Sequence, residues 1–442
     1  MRSLLKHTGA FSIDDRIAAP WHYLPVEVPA GASALRVTLS YPRGSGAVID
    51  LGCWGPSGFR GWSGSARNSF TVSELGATPG YLSGPVHSGL WQVAIGLHLL
   101  PDSGLPFTVT AEAVDASGGE LIRTLTADSA VDPVSGGLLA GDAAAGTGAR
   151  AVARGGGPVT AQLPAPPVER PARRTLPAPP ELTWLAGDLH AHTFHSDGVM
   201  SVPELALLAD SHGLDFVAVT DHNTVSHHAC LSAVSSRYGV TLVPGQEVTT
   251  ELGHAGVLGD TGWIDFREPA ASWLATAEAA GGLMSVNHPF AAQASWVHPM
   301  PRRPPLLEVW HWSWLDLSWT TPLSWWQAWD PSAIPVGGSD WHRPGSDAPL
   351  GTPTTWVLCA DSSVPGILDG LRAGRVAISA SREGPVLLRE SGSLVAVGAD
   401  GLVLAGPEGP STRISGDLVR LPGTPGYHRL LTSMGATLAL TP

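Results

Sequence analysis

After Leu182 the chain repeats one pattern: a short apolar run that ends in polar residues, then a helical stretch. The runs are Leu185–His192, Phe216–Asp221, Thr241–Glu247, Leu283–His288, Leu306–His311 and Ile334–Asp340. One intervening helix is predicted to start at Ser201, with Pro203 in the first turn and Glu204 completing a capping box, and to stop at Gly213. Others are expected over Ser226–Tyr238 and Glu268–Ala280, and one more helix and strand over Val364–Ala373 and Arg375–Ser379. Alternating β and α units of this length argue for a parallel sheet, closed into a barrel or doubly wound.

The flanks read differently. At 442 residues the chain exceeds one ordinary core. Residues 1–147 carry short alternating segments such as Ala34–Ser40, Trp91–Leu97 and Phe107–Ala113, separated by Gly, Pro and Ser, as expected of a β-sandwich. Residues 148–181 are Pro/Gly-rich without a period, a linker. The α/β region is placed at 182–384, and 385–442 returns to short β-like runs, a small C-terminal appendage. No apolar run approaches the roughly 20 residues that cross a bilayer, and the N-terminus lacks the apolar stretch of an export signal, so the expectation is a cytoplasmic protein without membrane contact.

Net charge is −13 and Lys6 is the only lysine. Stable duplex nucleic-acid binding needs clustered cations, which are absent, so that partner class is disfavoured. Cys53, Cys230 and Cys359 are isolated and form no CxxC pair, so neither a disulfide framework nor a thiolate metal site is supported.

Histidine is concentrated: 12 of the 17 lie between His190 and His342. His190 and His192 are two apart on a strand and share a face, with Asp197 in the loop beyond. His222 follows the second run, Glu247 ends the third, His254 follows in GHAGVLG, His288 ends the fourth, and Asp340 and His342 close GGSDWH. Nine imidazole and carboxylate side chains thus fall in phase with the carboxyl ends of predicted strands, where barrel folds build active sites. A set without thiolate suits Mn, Zn or Fe, and nine ligands exceed what one ion takes, so two or three divalent metal ions are expected.

These motifs resemble the PHP (polymerase and histidinol phosphatase) superfamily of metallohydrolases over residues 183–383, and GDLHAHT, PGQEVTT with GH, and GGSDWH are most similar to its CehA/McbA branch. The resemblance implies a distorted (βα)7 barrel holding three metal ions. It implies His190, His192, Glu247 and Asp340 around one ion, Glu247 bridging to a second held by His254 and His288, and Asp197, His222 and His342 around the third.

No GxSxG elbow or GK-containing P-loop is present, so the nucleophile is expected to come from metal-bridging hydroxide, metal binding lowering water's pKa from 15.7 to about 7. Phosphoester hydrolysis, on a phosphomonoester or phosphodiester, is the leading expectation. A carbamate or carboxylic ester hydrolase is the alternative, and a non-catalytic metal-binding module the third. His195 is a candidate leaving-group acid and Arg343 a candidate phosphate clamp, with Arg302 and Arg303 behind it. Nine of the 17 tryptophans lie between Trp296 and Trp341. Most read as packing, with Trp312 and Trp341 the best candidates to stack an aromatic or nucleotide part of a small-molecule ester substrate.

Overall fold

The computed structural model describes residues 1–115 and 169–442, apart from 293, 315, 347 and 391. The end of the predicted first region and residues 148–168 of the predicted linker lie outside the described residues.

The first region is built from β1 (Arg2–Phe11), α1 (Ile13–Ala18), β2 (Trp21–Val28), β3 (Ala32–Ser40), β4 (Val48–Gly55), β5 (Gly58–Trp62), β6 (Ser69–Ser73), β7 (Gly89–Leu99) and β8 (Leu105–Asp115). They form two antiparallel four-stranded sheets, β1-β8-β3-β6 and β2-β7-β4-β5. Alternation in the sequence becomes alternation in burial: along β8, Leu105, Phe107, Val109 and Ala111 point into a core shared with Ile49, Phe70, Trp91 and Val93, while Pro106 faces solvent.

The second region contains β9 (Thr183–Ala191), α2 (Val202–Ser211), β10 (Phe216–Val219), α3 (His228–Tyr238), β11 (Thr241–Thr250), β12 (Gly253–Leu258), α4 (Ala270–Ala279), β13 (Leu283–Val286), β14 (Leu306–His311), α5 (Thr321–Trp329), β15 (Ile334–Gly338), β16 (Thr354–Cys359), α6 (Val364–Arg372) and β17 (Val376–Ser379). The capping box at Ser201 is formed: its hydroxyl accepts from Glu204 N–H, and Glu204 accepts from Ser201 N–H at 2.7 Å.

Strand order runs β15-β14-β13-β12-β11-β10-β9-β16-β17. The pairs β9/β10, β10/β11, β13/β14 and β14/β15 are parallel, whereas β12 runs antiparallel to both β11 and β13. The architecture is therefore mixed α/β and sheet-rich. The chain beyond β15 is tied back to β9: Trp341 bridges Ala191 in parallel, His192 N–H donates to Trp341 O at 2.9 Å, and buried Asp188 accepts from Ser339 N–H at 3.0 Å and Gly351 N–H at 2.7 Å.

Sequence reading missed β12, α5 and β16. GHAGVL is buried on every residue, so it lacks the polar alternation that marks a half-exposed strand. Seven short strands follow, from β18 (Val386–Glu390) to β24 (Thr437–Thr441). Four of them continue the central sheet, because β24 pairs with β17 and carries three further strands on its other side, and the remaining three form a separate antiparallel sheet.

The described end of the linker lies against the second region: Arg170 pairs with Asp210 at 2.7 Å and Asp215 at 3.0 Å, and Leu176 is buried. An aromatic joint fastens the sandwich to the same region. Trp62 packs on Phe266 at 4.7 Å, Trp21 meets Phe266 at 5.3 Å, and Phe59 stacks on Trp263 at 3.8 Å. Such pairs contribute about 0.5–1.5 kcal/mol each beyond their area burial. Among the described residues no helix is long and apolar enough to cross a membrane.

Candidate metal centre

The ends of β9, β10, β11, β13 and β15, together with β12, bring all nine predicted ligand residues into one cluster. His190 and His192 leave β9 on the same face. His190 Nε2 lies 3.0 Å from Glu247 Oε1 and 3.2 Å from Asp340 Oδ1, and His192 Nε2 lies 2.9 Å from Asp340 Oδ1. Glu247, on β11, sits at the middle, with His222 at 2.8 Å, His288 at 3.2 Å and His254 at 3.4 Å. Asp197 lies 3.2 Å from His342 and 3.5 Å from His222. His254 owes its place to β12, whose register sets it opposite Thr249 of β11.

Four groups bring ligand atoms within 4.8 Å of one another: His192, Asp197, His222 and His342; His190, His192, Glu247 and Asp340; His222, Glu247 and His254; and His190, His288 and Glu308. His192 thus joins two groups, and Glu308 is an addition from β14. His311, also on β14, reaches Asp340 Oδ2 at 3.3 Å. Both β14 residues escaped the sequence reading, although His311 ends an apolar run by the same rule that marked the others.

The donor atoms are buried and largely unmatched. His190 Nε2, both ring nitrogens of His192, Glu247 Oε2, His254 Nδ1, Asp340 Oδ1 and His342 Nε2 make no hydrogen bond of acceptable geometry among the described residues. Buried polar atoms are rarely left so, and convergent lone pairs of this kind are what a cation satisfies. Burial opposes charge on Glu247, but His190, His254 and His222 outweigh it and hold the carboxyl well below the usual range. Burial likewise opposes charge on His342, yet Asp197 and Asp340 raise its pKa to about 10. Burial, His342 and His222 drive His192 the other way, to about 3, so it remains neutral.

Backbone strain gathers at the same place. The non-glycine residues with left-handed φ, among those described, are Asn223 at 54°, His288 at 23° and Asp340 at 52°. A Cβ on Gly338 would fall 2.3 Å from Glu308 Oε1 and 2.5 Å from His190 Cβ, so the second glycine of GGSDWH permits that close approach.

Supporting groups hold the loops. Asp221 accepts from Thr193 N–H at 2.8 Å, Ser196 N–H at 3.0 Å and Ser196 Oγ at 2.7 Å, folding the loop that carries Asp197. Buried Arg67 of the sandwich donates to the carbonyls of Ser196, at 3.2 Å, and Phe194. Gly80 N–H donates to Ser226 Oγ at 3.0 Å and Gly80 O accepts from Thr224 Oγ1 at 2.8 Å, fixing the segment after His222. Nothing in the local sequence of residues 67 and 80 announces this role, because it depends on docking across the chain.

The cluster opens into a cavity of about 360 Å³ between the sandwich and the second region, walled on one side by Asp197, His222 and His254. His195 and Arg343 do not line it. His195 Nδ1 bonds Ser226 Oγ at 2.7 Å, and burial, Arg67 and His228 lower its pKa to about 3, which makes it a poor proton donor near neutrality. Arg343 is exposed beyond His342. Arg302 pairs with Glu278 and Arg303 lies over the Trp329 ring at 3.4 Å. The arginine that does line the cavity is Arg16. Trp341 is buried, β14 ends at His311 before Trp312, and the tryptophan on the cavity wall is Trp62.

No family model matches the chain. Over 70 residues, 16% of this chain, it is 33% identical to a 5'-3' exoribonuclease of Haemophilus influenzae, and the match spans 26% of that relative, about a quarter of its length. Among solved structures, a two-domain protein of Bacteroides vulgatus containing a predicted PHP-like metal-dependent phosphoesterase aligns at TM-score 0.41 and 17% identity, over 62% of this chain and 99% of that one. A protein of Bifidobacterium adolescentis assigned as a metal-dependent phosphoesterase aligns at TM-score 0.30 and 18% identity, over 37% of this chain and 90% of that one. An amidohydrolase of Chromobacterium violaceum aligns at 0.28 and 17%, over 37% and 89%. The His, Asp and Glu clusters themselves fit a metal-dependent hydrolase.

Proposed function

We propose that this chain is a metal-dependent phosphoesterase with a distorted (βα)7 barrel of the PHP kind, acting on a small-molecule ester. The supporting observation is the run of overlapping imidazole–carboxylate groups, with their unmatched buried donors, at the floor of a cavity large enough for such a substrate. His190, His192, Glu247 and Asp340 would hold one ion, and Glu247 would share a second with His254 and His288. Asp197, His222 and His342, with His192 beside them, would hold the third. Bound ions of the Mn, Zn or Fe type would supply an acidified water nucleophile and positive charge for the phosphoryl oxygens.

The chain's own groups then have distinct tasks. Glu308 and Thr249 orient the rings of His190 and His222 through bonds at 3.0 and 2.6 Å. The sandwich covers one side of the cavity and limits water, and Arg16, paired with Glu251 at 2.7 Å, brings guanidinium N–H donors to the cavity wall. The likeness to an exoribonuclease leans toward phosphoester chemistry, while the −13 charge and single lysine favour a small ester over a duplex.

The test is a panel on Mn- or Zn-loaded protein: nitrophenyl phosphate, bis(nitrophenyl) phosphate, a naphthyl carbamate and nitrophenyl acetate. The phosphate esters are expected to show the higher kcat/KM. The reverse ranking would move the assignment to the carbamate or carboxylic ester reading of the CehA/McbA branch, and absence of any tightly bound transition metal would move it to a non-catalytic module.

A further inference from the structure

The cavity wall opposite the metal centre belongs to the sandwich, and it carries a polar group with no assigned task. Asp50, on β4, is 4% exposed and lines the cavity. Its Oδ2 accepts from His98 Nε2–H at 2.7 Å. Its Oδ1 is buried and has no hydrogen-bond partner among the described residues, and its near neighbour Gly64, whose Cβ would stand 3.8 Å from it, also lines the cavity. A buried carboxylate oxygen left unmatched costs free energy unless something that enters the site satisfies it.

The charge around Asp50 indicates what kind of donor that is. His98 Nδ1 lies 3.5 Å from Glu251, and Glu251 accepts from Arg16 at 2.7 Å. Burial works against charge on His98, but Asp50 and Glu251 outweigh it and raise its pKa to about 10. Two cations therefore face two carboxylates, and the network is neutral before any ligand arrives. A ligand ammonium would add an unbalanced buried charge, whereas an uncharged O–H donor satisfies Oδ1 without one. Ser65, on the same wall, supplies a hydroxyl that can donate or accept, and Trp62, Ala66 and Leu99 supply apolar surface for a carbon skeleton.

We propose that the sandwich wall is a recognition subsite for a hydroxyl-bearing leaving group, a polyol or sugar alcohol, in which Asp50 Oδ1 accepts the hydrogen bond of a hydroxyl remote from the bond cleaved. The subsite rests on the phosphoester reading only for the anionic end of the substrate.

The experiment uses matched pairs on the metal-loaded full chain: glycerol 1-phosphate against propyl phosphate, and glyceryl monoacetate against propyl acetate. Calorimetric Kd and kcat/KM are measured for the wild type and for Asp50→Ala. The wild type is expected to favour the glycerol member by about tenfold or more, as for a hydrogen bond to a charged group, and Asp50→Ala to reduce that ratio to near one. The wild-type ratio carries the test even where the variant fails to fold. Equal values within both pairs overturn the subsite. Discrimination in the acetate pair alone, with neither phosphate bound nor cleaved, overturns the phosphoester reading and upholds the subsite. No binding of any of the four overturns both.

Discussion

Glu308 accepts from His190 Nδ1–H at 3.0 Å and takes the backbone N–H of His288 on its other oxygen at 2.8 Å. With its Nδ1 proton committed, His190 turns Nε2 toward Glu247 and Asp340, the tautomer that a metal requires. Glu308→Gln is therefore expected to weaken metal affinity roughly 10–100-fold, the usual cost of disturbing a ligand's hydrogen-bond partner. Competition against a fluorescent chelator measures it. Affinity equal to wild type would assign Glu308 to fold maintenance alone.

Glu247 touches more of the cluster than any other carboxylate, with four imidazoles between 2.8 and 3.4 Å of its oxygens. Glu247→Ala is expected to lose bound metal and to lower kcat/KM at least about a hundredfold. Elemental analysis beside the activity assay tests this; full metal content with full activity would refute the arrangement proposed for the ions.

Arg67 reaches from the sandwich to the carbonyls of Phe194 and Ser196. Arg67→Met leaves those carbonyls short of a donor, at a cost of about 1–3 kcal/mol each. A lower Tm is expected, together with weaker metal binding, because Asp197 is the next residue in that loop. Differential scanning calorimetry with and without added metal separates the two effects. A drop in Tm with unchanged metal affinity would leave Arg67 a purely structural role.

His98 gives a pH signature. An unfolded imidazole titrates near 6.5, whereas the folded one titrates at about 10, so the folded chain holds the extra proton between these values. The stabilisation is fully present below pH 6.5 and is lost as pH rises through 10. Wild type is expected to exceed His98→Gln by on the order of a few kcal/mol at pH 6, with the gap closing by pH 10.5. Urea melts at the two pH values measure it, and a gap that widens with pH would reverse the assignment of charge to His98.

Most of the imidazole–carboxylate cluster was legible because a strand end is a geometric address: residues such as His190 and His192 inherit a common face from the period of two. His254 was harder, since β12 is buried on both faces and reads as a glycine-rich loop. Glu308 lay inside a run already recognised as a strand, where a charged residue amid Leu, Val and Trp was itself the signal. The cavity wall was not legible at all. Asp50, His98 and Arg16 sit on ordinary elements of the first region, and they matter only because an aromatic joint docks those elements against the imidazole–carboxylate cluster. Docking of two surfaces leaves no periodic trace in a chain.

The nine residues proposed to hold the ions run from His190 to His342, and the cavity above them is closed by residues as early as Arg16. A chain emerging from the ribosome could not assemble this centre until nearly all of its second region had been made. Ion retention would therefore report folding at least through His342, and a chain cut short before that residue would lack part of the ligand set.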